Sequence, residues 1–389
     1  MRLDTPKITG QLLLVLASMS VESGCEPLYE VPPSGPAPIF RDRDESEPPV
    51  LSERPVLRVM AWNIKYGAAR IPFWFDCWGD RVRMDRDEVR TNLAALAALI
   101  REVDPDVLLL EEIEVNARRS AYVDMVDVLL RETRLGYGAY FSTWQSRYVP
   151  SEGLGRIDLG NAILSKYPIV DARSIRQADR TDQDVVTAAF YIHRAIGRAE
   201  LDLGLAGRAA VYVVHTEAYD VDGTKQRQID QIHRVVRDET LPFVVGGDFN
   251  ELPPVAARRE GFPDERQTAL CSEAFVQPPY TPEVMRPFFE DFEPAIPLAA
   301  YGQTEDEQRR FFTHSVLGPD EVNEAGEPGF WNRTLDYLFA GGGTDFEPGS
   351  GDVLQIRGQT VGGVGPPLEG DPLRASDHAP VFGRWRIRP

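Results

Sequence analysis

An α/β fold class is what this sequence predicts, and three observations predict it. Short apolar runs with strand character alternate along the chain with segments of helical period. Some of those runs are unbroken, as expected of strands buried on both faces. Polar residues able to do chemistry recur just past the ends of the apolar runs, where α/β scaffolds build sites.

The elements follow in order. Leu57-Arg58-Val59-Met60-Ala61-Trp62 has strand character. Val89, Leu93, Leu96, Ala97, Ile100 and Val103 recur on one face of a helix that stops at Asp104-Pro105. Val107 to Leu110 is an unbroken apolar strand ending in Glu111-Glu112. Strands are expected again at Asn161 to Leu164 and at Ala209 to His215. Ile229, Ile232, Val235 and Val236 mark a helix. Phe243 to Val245 is a strand running into Gly246-Gly247-Asp248. Leu335 to Ala340 and Ala379 to Trp385 supply the last two. Residues 251–330 are rich in Pro, Glu and Phe and weakly periodic, so loop with short helices is expected there. No internal repeat is visible.

The chain has 389 residues, 42 basic and 61 acidic, for a net charge of −19. Its 42% hydrophobic and 26% charged content is an ordinary globular mix, which excludes wholesale disorder and a polytopic membrane protein. The acidity argues against nucleic-acid binding through a broad basic surface. It does not exclude a local cation-filled cleft. Only four lysines occur, Lys7, Lys65, Lys166 and Lys225, and five histidines, His193, His215, His233, His314 and His378.

Residues 1–25 read as an export signal, with Arg2 and Lys7 ahead of the apolar run Leu12-Leu13-Leu14-Val15-Leu16-Ala17. That run is too short to span a bilayer. Ser23-Gly24 before Cys25 resembles a bacterial lipoprotein cleavage site, although Glu22 stands where an aliphatic residue is usual. Lipidation of Cys25 as a membrane tether and plain secretion are both open. The expected location is an outer-membrane or periplasmic lipoprotein or a secreted protein. Residues 26–55 carry eight prolines and the run Arg41-Asp42-Arg43-Asp44-Glu45, and read as a semi-extended linker. The catalytic domain is expected at 56–389, as a monomer. Cys77 and Cys271 are either a disulfide or two free thiols.

Chemistry gathers at the strand ends. Asn63, Glu112, His215, Asp248, Asn250, Asp336 and the pair Asp377-His378 each flank a predicted strand. The carboxylates and amide oxygens are hard ligands that suit Mg²⁺, Mn²⁺ or Ca²⁺. Histidines beside carboxylates can carry protons near neutrality. No Gly-x-Ser-x-Gly elbow, nucleotide loop or C-x-x-C zinc pattern is present. Metal-assisted attack of water on a phosphate ester fits this set.

The sequence resembles the endonuclease/exonuclease/phosphatase superfamily. The segments that carry the likeness are 60–67 (Met-Ala-Trp-Asn-Ile-Lys-Tyr-Gly), 106–113 (Asp-Val-Leu-Leu-Leu-Glu-Glu-Ile), 160–169 (Gly-Asn-Ala-Ile-Leu-Ser-Lys-Tyr-Pro-Ile), 247–250 (Gly-Asp-Phe-Asn), 334–339 (Thr-Leu-Asp-Tyr-Leu-Phe) and 376–380 (Ser-Asp-His-Ala-Pro). The resemblance implies a four-layer α/β/β/α sandwich, two packed mixed sheets flanked by helices, and a divalent-metal phosphoesterase. By position it implies Glu112 as principal metal ligand, with Asn63 beside it and Asp377 completing the metal site. It implies an Asp336–His378 pair, Asp248 orienting the nucleophile or protonating the leaving oxygen, and Asn250 positioning phosphate or water. His215 and Asn161 match further site positions.

Three departures stand out. The family's usual Gln before the metal Glu is Glu111 here, and strand alternation favours placing it on the surface. Val214-His215-Thr216-Glu217 differs from the usual Thr-His-Leu. Arg333 lies one residue further from Asp336 than usual. The cluster Tyr66, Arg70, Phe73, Trp74, Phe75, Trp78, Arg81 and Arg83 is either a substrate-stacking surface or a packed lid. Lys225 and Arg227 either meet substrate phosphate or are solvated. His233 is expected to be solvated. The expected function is an extracytoplasmic, Mg²⁺-dependent phosphodiesterase or nuclease. A phosphatase or sphingomyelinase-like phospholipase, and a catalytically silent surface-binding protein, are the alternatives. The substrate is accordingly a nucleic acid, a lipid headgroup or a small phosphodiester.

Overall fold

The structure is a computed structural model and describes residues 29–42, 48–74, 79–149, 153–264, 279–323 and 325–388. Cys25, Cys77 and Cys271 lie outside the described residues, as do Phe75 and Trp78.

Among the described residues sixteen strands run in chain order: β1 (Tyr29–Glu30), β2 (Gly35–Pro36), β3 (Ile39–Arg41), β4 (Val56–Asn63), β5 (Val107–Glu114), β6 (Tyr137–Val149), β7 (Gly155–Ser165), β8 (Ile169–Arg176), β9 (Ala195–Asp202), β10 (Arg208–His215), β11 (Phe243–Asp248), β12 (Glu293–Pro294), β13 (Asp336–Gly341), β14 (Asp345–Phe346), β15 (Asp352–Val353) and β16 (Val381–Arg386). One mixed sheet has the order β1-β6-β7-β5-β4-β16-β14, with β3 also on β6 and β15 also on β16. The second has the order β12-β13-β11-β10-β9-β8-β2.

Three apolar clusters separate four layers. Met60, Trp62, Leu108 and Leu110 face outward from the first sheet onto the helices Arg86–Val103 and Met125–Glu132. Val59, Ala61, Val107 and Leu109 face inward and meet Val211, Val213, Val244 and Leu338 of the second sheet. Tyr212, Val214, Val245 and Phe339 face out from the second sheet onto the helices Thr224–Arg237 and Arg286–Asp291. The strand period of two therefore sorts each strand between two cores. This is the predicted α/β/β/α sandwich.

The helix Arg86–Val103 shows why the sequence forms it. Asp85 accepts from the backbone N–H of Asp87 and Glu88, and Glu88 accepts in return from Asp85 N–H, a capping box. Asp104 ends it in the left-handed region at φ 48°, ahead of Pro105. All six periodic apolar residues are buried.

Part of the linker reading needs correction. Tyr29–Glu30 and Ile39–Arg41 pair with β6, while Gly35–Pro36 pairs with β8. The proline-rich segment thus adds short strands to both sheets. Extended, proline-limited backbone suits an edge position, where one row of hydrogen bonds is not needed.

Candidate active site

Register assembles the site. β4 and β5 are parallel with Asn63 opposite Glu111. β10 and β11 are parallel with His215 opposite Asp248. β13 runs antiparallel to β11 with Asp336 opposite Asp248. Val381 of β16 lies opposite Ala61, so the turn 376–380 falls beside Asn63. Asn63, Glu111, His215, Asp248 and Asp336 continue the inward-facing rows of their strands. The site is the polar end of the core between the sheets.

The contacts are short. His378 Nδ1 lies 2.8 Å from Asp336 Oδ2, and His378 Nε2 lies 3.7 Å from Asp248 Oδ2. His215 Nε2 is 3.4 Å from the same Asp248 oxygen and 3.9 Å from Glu112 Oε1. Asn63 Nδ2 reaches Glu112 Oε1 at 3.2 Å and Asp248 Oδ2 at 3.3 Å. Asn250 donates its backbone N–H to Asp248 Oδ1 at 2.8 Å, and its Nδ2 to Thr216 O at 3.0 Å. Asp377 Oδ2 is 3.2 Å from Lys65 Nζ. Ser376 Oγ donates to Asn63 O at 2.7 Å, which ties the 376–380 turn to β4.

Asn161 is buried in β7 with an unpartnered Nδ2. It lies opposite the irregularity in β5, since Leu110 pairs with Ala162 and Ile113 with Gly160. That irregularity is a β-bulge, with Glu112 at φ 55°. Glu111 keeps the inward parity of Val107 and Leu109, and the irregularity after it turns Glu112 toward Asn63 and His215 at the same cleft. Glu111 is therefore not the surface residue expected: it is 0% exposed and points between the sheets, while Glu112 keeps 25% of its side-chain surface open.

Burial and crowding set the charges. Burial raises the Asp248 carboxyl to about 7, against the pull of His378 and with the push of Asp336. Burial opposes charge on His378, but Asp336 and Asp248 outweigh it and raise the ring to about 10. Burial, then the charges of Arg194 and His378, keep His215 neutral. Burial and Asp377 raise Glu112. Burial opposes charge on Asp377, yet Lys65, His378 and Arg70 together hold it ionised, below the usual range.

Two residues near the site escaped the sequence reading. His314 stacks on His378 with ring centroids 4.5 Å apart and is bridged to it through the backbone. No motif surrounds it, so only the fold reveals it. Lys65 was legible only as part of a motif, and its charge against Asp377 was not. Other candidates prove structural. Tyr66 and Phe73 are buried edge to face, with the Arg119 guanidinium over Tyr66. Arg81 pairs with Glu88, and Arg70 donates to the carbonyls of Ser315 and Leu373. The packed reading holds for those four. Lys225 is buried, donating to Asn250 O at 2.9 Å beside Glu251, and Arg227 is paired with Asp222. Arg333 is buried against Asp264 and Phe262. His233 is half-buried on Phe288 and Phe292 and paired with Asp291, not solvated.

The donor set fits a divalent cation. Glu111, Glu112, Asp248, Asp336 and Asp377 converge where Lys65 and the His378 ring supply positive charge. Both Glu111 oxygens and Asp336 Oδ1 are buried without a hydrogen-bond partner. Such oxygens are costly unless a cation or proton meets them. The atoms of Asp248, Asp336 and His378 also lie within 4.8 Å of one another, close enough to share an ion.

This fold and site define a phosphoesterase scaffold. The model of the Endonuclease/Exonuclease/phosphatase family matches residues 60–378, and the chain belongs to that family. No curated protein matches the sequence significantly. Among solved structures, an endonuclease/exonuclease/phosphatase from Beutenbergia cavernae is similar at TM-score 0.51 and 18% identity, over 85% of this chain and 72% of that one. A mannosyl-6-phosphatase from Bacteroides thetaiotaomicron is similar at TM-score 0.45 and 12% identity, over 85% and 99%. The human Nocturnin catalytic domain is similar at TM-score 0.44 and 17% identity, over 90% and 97%. At these identities the likeness speaks to fold alone.

Proposed function

We propose that this protein is a divalent-metal-dependent phosphodiesterase, with nucleic acid or another phosphodiester as substrate, acting outside the cytoplasm. The observation that carries the chemistry is the Asp336–His378 pair at 2.8 Å beside Asp248 and Glu112. Glu112, with Asn63 and Asp377 beside it, would hold the cation, which when bound neutralises phosphate charge and fixes its oxygens. Asp336 holds the His378 ring, so that the charged Nε2–H donates to a phosphate oxygen. Asp248, pinned by the Asn250 N–H, takes the proton of the attacking water as its oxygen bonds to phosphorus, and returns it to the ester oxygen that departs as the P–O bond to the leaving alcohol breaks. A base whose pKa lies near the working pH suits that task. Neutral His215 flanks Asp248 without cancelling its charge, and Asn161 and Asn250 supply amides for phosphate.

The substrate test is a panel: plasmid DNA, RNA, sphingomyelin, inositol phosphates and bis-p-nitrophenyl phosphate. Cleavage of a diester with Mg²⁺ or Mn²⁺ is expected. Hydrolysis of monoesters alone would replace the diesterase reading with a phosphatase. Silence on all would favour a surface-binding role. Export rests on residues 1–25, and the sequence around Cys25 supports a lipid tether. Fatty-acid label on the wild type, absent from Cys25→Ala, is the expected result. Equal label on both would remove the tether.

A further inference from the structure

We propose that the rim of the cleft built from Val185, Val186 and Val221, with Tyr29, Tyr148 and Phe190 beside them, is a lipid-docking surface that holds the mouth of the cleft against a bilayer. The proposal rests on the lipid-tether reading of Cys25 above and adds the face by which the tethered protein meets its membrane.

The short helix Val185–Ala189 buries none of its residues. Val185 is 87% exposed and Val186 49%. So short a helix is not held by its own hydrogen bonds, and neighbouring valines favour a strand. Asp184 starts it by accepting from the N–H groups of Val186 and Thr187. The Thr181 N–H and hydroxyl both donate to Asp222 Oδ2, which ties this tip to the loop after β10. Val221, next to Asp222 in that loop, is 78% exposed. The valines thus have no core to face, while the acids at the base of the tip are engaged, Asp182 with Arg180 and Asp184 with the helix. Exposed apolar side chains that cluster mark a contact surface, whereas single ones do not.

Register places this tip at the open end of the cleft. β9 begins at Ala195 and runs antiparallel to β10, so the residues just ahead of Ala195 lie at the His215 end. β6 runs past the site end of β5, because Trp144 and Glu114 both lie opposite Leu159. His193 N–H donates to Thr143 O at 2.7 Å and joins the tip to that overhang. Tyr148 is exposed further along β6.

The tether enters at the same place. Tyr29 lies opposite Ser146 of β6, and its ring meets Phe190 with centroids 5.4 Å apart. Cys25 is four residues earlier, a reach of about 14 Å at most. Acyl chains on Cys25 would therefore bring the bilayer to this rim. They would not bring it to the other end of the sandwich, where Leu205 is exposed between β9 and β10. Aromatic rings favour the headgroup level, and apolar side chains the layer beneath it. A lipid chain and a second apolar contact together fix a protein on a membrane more firmly than either does alone.

A tryptophan placed in the rim tests this, in the full chain as cells process it, reconstituted into phosphatidylcholine vesicles with brominated acyl chains. The emission that Val185→Trp adds to that of wild type should shift to the blue and be quenched by the bromine. The emission that Leu205→Trp adds should do neither. Val221→Trp, on a separate loop, gives the same reading should Val185→Trp fail to fold. Val186→Asp added to Val185→Trp should diminish the quenching, because a charge resists transfer into lipid. Equal quenching at 185 and 205, or none at 185 and 221, overturns the proposal and leaves the tether standing. The tether falls separately, if wild type and Cys25→Ala take up equal fatty-acid label. Vesicles added to the same proteins then decide the docking, with quenching at 185 and 221 supporting it and its absence overturning it.

Discussion

Asp248 and His378 stand 3.7 Å apart and should carry opposite charges in the active state. That sets the direction of the pH dependence. Asp248 must lose a proton to act as base, so turnover should rise as pH climbs through about 7. His378 must keep its proton, so turnover should fall as pH passes about 10. Bound cation favours the ionised carboxylate and should move the acid limb lower. His378→Ala should cost about 10²-fold or more in kcat and abolish the alkaline limb. A variant that keeps the wild-type profile would take His378 out of the chemistry. These residues were legible in the sequence because each flanks an apolar run. Glu111 was misplaced because alternation was counted from Glu112 as the inward residue, whereas Glu111 follows Val107 and Leu109 inward and a bulge brings Glu112 to the same cleft.

At the scale of elements, supporting contacts matter as much as the strand ends. Lys225 sits in the first turn of the helix Thr224–Arg237, where a cation opposes the helix dipole. It is held there by Glu251 and by the Asn250 carbonyl. Lys225→Met should cost about 3–5 kcal/mol in urea unfolding, because Glu251 is left buried without its cation. A cost under about 1 kcal/mol would deny it that role. On the far side of the second sheet, Glu239 accepts from Arg198 Nε at 2.8 Å and from the Tyr212 hydroxyl at 2.6 Å. Burial opposes its charge, but those donors outweigh burial and lower it to about 2 from an ordinary 4.5. A depressed carboxylate gives stability that is complete above its unfolded value and is lost as pH falls toward the folded one. Glu239→Gln should therefore cost about 1–3 kcal/mol at neutral pH, and the gap should close between about pH 5 and 2. A gap independent of pH would contradict this. The apolar strands β4, β5, β10 and β11 could be read directly. β8 and β9 could not, because Asp171, Arg173, Arg198 and Glu200 interrupt them, pairing along each strand and, through Arg198 and Asp171, between the two.

Across the whole molecule, two sheets converge their polar ends on one cleft, and the N-terminal segment pairs with both of them. Composition alone marked that segment as a tether, since two- and three-residue strands exist only through their partners. A chain beginning at residue 48 should uncover the edges of β6 and β8. It should melt lower than the full chain and elute earlier in gel filtration from self-association. Unchanged melting and elution would show the segment to be dispensable. No helix among the described residues is long and apolar enough to cross a membrane. The net charge of −19 includes the five carboxylates of the cleft, where bound cation would offset part of it.

The most direct test of the central claim is hydrolysis of bis-p-nitrophenyl phosphate by wild type and Asp336→Asn, with Mn²⁺ and then with chelator. Turnover should require the ion, stop in chelator, return when the ion is restored, and fall about 10²-fold or more in Asp336→Asn. Turnover that survives chelation, or an Asp336→Asn enzyme at the wild-type rate, would contradict the account.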